Sequence, residues 1–309
     1  MLSVPICRVR PTPAFILILA VLIVAGGCAT SPPQQPRPDL APAPLPKYKE
    51  GTTYVYSKGN WERVIDVTPG AVTWENNQGR VSTGPSDFTY KQTSWKWRNR
   101  QGVREFAPRE DVLAKLPTSL WPLRVGNIAG HSEKGAWSEK GGPEKTYRTN
   151  WSCKVAGTER VSVMAGEFDT YKIDCERKSG RRTWESKTWF YAPAVGHYVL
   201  VTSRYTYDQP SQKKELLAVI PPQNGITAAK RKRIAQSFQK TMEYNKSGQP
   251  RSFSDKKLKL KITPIDTFRI DNGTYCRRYV QQMKLPDGND TFYGMACRES
   301  NGSWVIPRR

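Results

Sequence analysis

Apolar and polar positions alternate in short runs along most of this chain, and that alternation predicts strands. Residues 53–56, 62–67 and 71–74 form three such runs, separated by the turn-forming Lys58-Gly59-Asn60 and Pro69-Gly70. Residues 88–97 continue the pattern, and 109–116 read as a short helix. Further strands are expected at 149–154, 160–164, 168–176, 183–191, 197–207 and 214–219. The period changes after Pro221-Pro222-Gln223-Asn224-Gly225. There Thr227 can cap a helix reaching about Tyr244, with Ile234, Ala235, Phe238 and Met242 on one face. Strands follow at 258–263, 266–270, 274–284, 291–298 and 303–306, with Pro286-Asp287-Gly288 turning the two longest. The fold class expected is mainly β with an α+β end. A curved, antiparallel β-rich domain over 47–224 precedes a small helix-plus-antiparallel-sheet domain over 225–309.

The N-terminal region departs from this pattern. Arg8 and Arg10 precede twelve consecutive apolar residues, 14–25, and then Gly26, Gly27 and Cys28. That order is the layout of an export signal, shorter than the roughly 20 residues of a membrane span; the alternative is an uncleaved anchor. Cys28, directly after small residues, resembles the lipobox cysteine of bacterial lipoproteins, although Ala25 stands where that family usually has Leu. The resemblance implies a signal peptide over 1–27 and an acylated Cys28. Ala29 and Thr30 carry no inner-membrane retention aspartate, which implies the outer membrane. Residues 31–46 hold seven prolines and almost no charge, so 28–46 reads as a lipid-anchored, extended stalk.

Charge narrows the partners. The chain carries a net +22 with a sequence pI near 9.8, and its mean hydropathy of −0.65 suits a folded, water-facing body. The excess is densest in 225–309, where 18 Lys/Arg face 7 Asp/Glu for +11, against +9 (28 and 19) over 47–224. Such a field favours anionic partners: lipopolysaccharide phosphates, acidic envelope polymers or anionic lipid. Export removes nucleic acid from that group, and other envelope proteins remain as partners. Lys230, Arg231, Lys232 and Arg233 form the densest run and are candidate anion-binding residues. Trp95-Lys96-Trp97-Arg98-Asn99-Arg100 interleaves rings with cations, a pattern for stacking on sugars or for a strand with solvated alternate positions.

Catalytic and metal chemistry find little support. With Cys7 in the signal and Cys28 given to lipid, Cys153, Cys175, Cys276 and Cys297 remain for an oxidising compartment. Three pairings exist; Cys153–Cys175 and Cys276–Cys297 are the economical choice, each contributing about 3 kcal/mol. No C-x-x-C pair occurs and the chain has two histidines, so neither a metal nor a cofactor is expected. No G-x-S-x-G motif is present. His131 reads as an exposed loop residue and His197 as a packed one at a strand start. Asp169 and Asp174 do not amount to a carboxylate dyad, and Gly141-Gly142-Pro143 lacks the rest of a nucleotide fingerprint. No catalytic residue is assigned.

Two further resemblances concern the body. The phrases Leu120-Trp121-Pro122-Leu123-Arg124-Val125-Gly126, Val155-Ala156-Gly157-Thr158-Glu159-Arg160-Val161-Ser162-Val163, Ala165-Gly166-Glu167-Phe168-Asp169 and Trp189-Phe190-Tyr191-Ala192-Pro193-Ala194-Val195-Gly196 resemble exported β-sheet domains of Gram-negative envelope proteins. Residues 273–306 carry Cys276-Arg277-Arg278-Tyr279, then Tyr293-Gly294-Met295-Ala296-Cys297-Arg298, then Asn301-Gly302-Ser303-Trp304. This resembles the C-terminal signature of the bacterial outer-membrane surface-antigen family, the 17-kDa antigen group, without the glycine-zipper half that some members carry. The family implies an envelope location and supplies no catalytic residue. Arg277 and Arg298 each follow a cysteine, so strand alternation puts both on one face, where they are candidate anion binders. The function expected is that of a non-enzymatic outer-membrane lipoprotein with an envelope structural or anion-binding role. The alternative is a periplasmic lipid or lipoprotein carrier.

Overall fold

Period-two alternation underlies most of the long strands, and the resulting ladder follows chain order closely. A computed structural model of the chain describes residues 39–90, 92, 94–99, 102–107, 120–139, 142–143, 145–206, 210–255, 258–285 and 288–307. Cys28, the apolar run at 14–25 and the helix expected at 109–116 lie outside the described residues. The first twelve strands are β1 (Thr53–Tyr56), β2 (Trp61–Thr68), β3 (Ala71–Asn76), β4 (Val81–Gly84), β5 (Ser94–Asn99), β6 (Gly102–Ala107), β7 (Ile128–Glu139), β8 (Lys145–Val163), β9 (Gly166–Ser179), β10 (Arg182–Ala192), β11 (His197–Tyr205) and β12 (Gln212–Ile220). Each pairs antiparallel with the next, and β1 also pairs with β12, so both ends of this meander meet at β1.

The helix α1 (Ala228–Tyr244) then leads into β13 (Arg251–Asp255), β14 (Leu258–Arg269), β15 (Tyr275–Leu285), β16 (Gly288–Arg298) and β17 (Trp304–Val305). These five also pair antiparallel in chain order. Thr227 caps α1 by accepting from the Lys230 N–H, and the helix ends with Asn245 N–H donating to Thr241 O. Thr241 and Met242 are buried and Ile234 and Phe238 half-buried, whereas Ala235, expected on the same face, is exposed.

Several boundaries differ from the sequence reading for identifiable reasons. The runs at 149–154 and 160–164 belong to one strand, β8, whose pairing with β9 shifts register between Val155 and Gly157. The runs at 258–263 and 266–270 likewise merge in β14, where a shift between Pro264 and Asp266 accommodates the proline. Residue 131 is not in a loop: His131 lies in β7 opposite Trp151, because ladder pairing with β8 overrides the Gly/Ser/Lys composition. Phe88 sits in a turn, and the strand expected there begins at Ser94.

Two short runs decide how the chain holds together. β1 (TYVY) is buried at every position, and β12 holds four consecutive buried residues, Leu216 to Val219. Burial on both faces requires a core on each side. Tyr54, Tyr56, Leu216 and Val219 join the main core with Val64, Tyr198, Leu260, Ile262 and Phe292. Val55, Leu217 and Ala218 face the other way, against Cys276, Met295 and Cys297. A single ladder contact, Ala218 with Gly294, joins β12 to β16. The segments 47–224 and 225–309 therefore share a wall, within one compact unit over Arg37–Arg309.

The proline-rich segment is also only partly a stalk. From Asp39 on it lies against the sheet: Ala43 and Leu123 exchange backbone hydrogen bonds of 3.2 and 2.7 Å. The Tyr171 hydroxyl reaches the carbonyls of Leu40 and Ala41 at 2.9 Å each. An extended proline-rich backbone leaves its carbonyls unpaired, and the Leu123 backbone, in an isolated bridge, and a tyrosine satisfy three of them here.

Candidate functional site

The cysteine-bearing segment 273–306 folds into a clamp on the end of α1. Cys276 and Cys297 stand opposite each other in register on β15 and β16 and form a disulfide, and Cys153 and Cys175 do the same on β8 and β9. All four are buried. Arg277 and Arg298 project from the opposite face, toward the helix. Arg277 is buried, and its Nη1 donates to the Met242 carbonyl at 2.6 Å. A cation there satisfies one of the last carbonyls of α1 and opposes the negative end of its dipole. Arg298 forks onto Glu243 with Nε and Nη2 at 2.9 and 3.1 Å, and Trp304 Nε1 adds a third bond to that carboxylate at 2.8 Å. The Arg298 and Trp304 hydrogen bonds hold the Glu243 carboxyl below the usual carboxylate range. Gln239 and the Trp304 backbone exchange two more bonds.

The remaining signature residues are equally occupied. Tyr279 is buried, with its ring edge-on to Phe238. A Cβ on Gly294 would lie 2.6 Å from the Tyr279 hydroxyl oxygen and 2.9 Å from Ala218 Cβ, which is why this position holds glycine. Arg278 pairs with Asp266 at 2.7 Å and donates to the Met164 carbonyl. Arg277 Nη1 and Arg298 Nε and Nη2 are engaged by the end of the helix, while Arg277 Nε is buried without a hydrogen-bond partner.

Two of the helix cations make local contacts. Arg231 donates to the Ile226 carbonyl and Arg233 lies over Phe253, 5.1 Å from the ring centroid. Lys230 and Lys232 sit on the same first turns, at the other end of the helix from the arginine clamp. Of the ring-and-cation run in β5, Trp95 carries Arg80 over its ring at 4.9 Å; Arg100 lies outside the described residues.

The densest chemistry in the fold surrounds His197, at the start of β11. Its ring is buried among Tyr48, Tyr54, Trp74, Phe88 and Tyr198, all with ring centroids within 5.6 Å. Tyr48 Oη and His197 Nδ1 share a hydrogen bond of 2.8 Å whose direction follows the imidazole tautomer, and burial pushes the Tyr48 hydroxyl well above its ordinary value, so it stays protonated. The other nitrogen, Nε2, faces Glu62 Oε2 at 3.9 Å, too far for a hydrogen bond. Burial lowers the His197 pKa below 6.5 despite the carboxylate. Burial alone would raise Glu62, but His197, Lys214 (3.6 Å) and the Tyr198 hydroxyl (2.7 Å) bring it down to about 2. The result is a neutral imidazole beside an ionised, quarter-exposed carboxylate. Sequence reasoning placed His197 in a packing role but missed Tyr48 and Glu62, which lie in other strands or loops 149 and 135 positions away.

Comparison with known proteins bears on the clamp. A family described as the 17 kDa outer membrane surface antigen matches residues 245–305. The 17 kDa surface antigens of Rickettsia conorii and Rickettsia rickettsii are each 38% identical over 45 residues, 15% of this chain. That of Rickettsia bellii is 33% identical over the same length. The chain spans 28% of the length of these curated relatives. Among solved structures, a hypothetical lipoprotein YmcC from Escherichia coli (K12) aligns over 53% of this chain and 82% of its own, at 10% identity and TM-score 0.35. A putative exported protein with a YmcC-like fold from Bacteroides fragilis aligns over 58% and 100%, at 13% identity and TM-score 0.28. The disulfide, the two arginines, the Tyr279–Gly294 contact and Trp304 all fall on or beside the matched segment, which is similar in sequence to the 17 kDa outer membrane surface antigens.

Proposed function

We propose that this chain is a non-enzymatic lipoprotein of the outer membrane, anchored through Cys28, whose basic C-terminal segment binds an anionic component of the envelope. The observation that carries the reading is that the charge excess of 225–309 outlasts its internal pairing. Three of the seven acids in that segment, Glu243, Asp266 and Asp290, are already engaged by Arg298, Arg278 and Lys49. The similarity of 245–305 to surface antigens supports an envelope setting. A structural role for the signature also fits, since Arg277, Arg298 and Trp304 hold helix to sheet.

The test is titration of fluorescently labelled lipopolysaccharide with the full chain in neutral detergent, across a salt series. Saturable binding that weakens steeply with salt is the expected outcome. Absence of binding at low salt would remove the anionic component and leave the structural role alone.

A further inference from the structure

The outer face of β13 to β16 holds a groove of about 400 Å³ whose charge is unbalanced. Register places Lys259 of β14 directly opposite Lys284 of β15, and Lys261 two residues along opposite Gln282. All four side chains are exposed, while Leu260, Ile262 and Met283 between them point into the core. Strand spacing places the Cα atoms of the three lysines within a patch of roughly 5 by 7 Å. Like charges opposed across a ladder oppose folding. No ion pair joins Lys259, Lys261 or Lys284 among the described residues. Among the described residues Asp290 is the sole acid lining the groove, and Lys49 holds its carboxylate at 2.8 Å.

Neutral hydrogen-bonding groups flank the lysines on both sides. Ser252 and Ser254 stand opposite Lys261 and Lys259 on β13, and Thr291 stands opposite Gln282 on β16. Clustered point cations bordered by hydroxyls and an amide match a ligand that combines phosphate with sugar hydroxyls. The groove is open along the sheet, so such a ligand would lie across it instead of being enclosed. We infer that this face is the docking site for the phosphorylated sugar headgroup of a membrane glycolipid. The inference rests on the anionic-envelope reading above and moves its contact surface from the helix cations to the sheet.

The test compares the full chain with two charge-neutralised forms in the labelled-lipopolysaccharide titration. One carries Lys259→Gln, Lys261→Gln and Lys284→Gln; the other carries Lys230→Gln, Arg231→Gln, Lys232→Gln and Arg233→Gln. At a typical increment per lysine near a charged membrane surface, the groove form should bind roughly a hundredfold more weakly at low salt. The helix form should bind much as the unmodified chain does. The groove form should also melt at or above the unmodified chain's temperature, because a like-charge pair is gone, so lost binding would not reflect unfolding. Unchanged binding by the groove form with loss in the helix form would overturn the inference and spare the broader reading. No binding by the unmodified chain would overturn both. Equal binding of dephosphorylated lipopolysaccharide would overturn phosphate recognition, and competition by inorganic pyrophosphate as effective per phosphate as the glycolipid would overturn the headgroup.

Discussion

Gly294 shows how one missing side chain lets two parts of the chain meet. Its Cα lies under the Tyr279 ring and beside Ala218, where a methyl group would come within 3 Å of both. Gly294→Ala should cost about 1–3 kcal/mol, the usual range for overpacking, read as a lower urea midpoint with an unchanged slope. His197 makes a prediction of a different kind. Its folded pKa is depressed below 6.5, so the stability of the neutral form is complete above about pH 6.5 and is lost as pH falls toward the folded value. Glu62, lowered from 4.5 to about 2, adds a loss only below about pH 4.5. Melting temperature should therefore fall between pH 7 and pH 5, and His197→Gln should flatten that interval; an equally steep fall in the variant would assign it to other groups. Glu62, Lys214, Tyr48, Tyr54 and Tyr198 are the titratable groups around the ring.

At the scale of elements, the hairpins and the helix were legible because each announces itself locally. Thr227 and the 234/238/242 spacing located α1, and alternation such as Leu258-Lys259-Leu260-Lys261-Ile262 located β14. β13 was missed because Arg-Ser-Phe-Ser-Asp offers one apolar residue, and its strand state comes from pairing with β14. β7 was missed for the same reason: its pairing with β8 is settled by the partner. The cysteine pairs were readable from spacing, but their placement at directly opposed ladder positions was not. Each disulfide should contribute about 3 kcal/mol. Cys276→Ala/Cys297→Ala, measured by urea unfolding of the full chain, should lose that much while the Cys153–Cys175 bridge stays intact under non-reducing mass analysis. A loss near zero would mean that the arginine clamp and core already restrain the hairpin.

For the whole molecule, charge and connectivity carry the organisation. The basic excess of 225–309 was visible in composition, yet which cations are spent and which remain required the register of four strands. The aromatic chamber around His197 was invisible, because Tyr48, Glu62 and His197 converge only once β1, β2 and β11 are assembled. The wall formed by β1 and β12 was hinted at by two apolar runs too short to say which cores they divide. That wall also sets an order of events. β1 is made early, but its partner residues on β12 follow about 160 positions later, and the second face of both strands waits for β16. A nascent chain must carry Tyr54, Val55 and Tyr56 uncovered until nearly all of it has been delivered, so folding is a late, whole-length event and any product that stops short of residue 297 is left with a sticky seam.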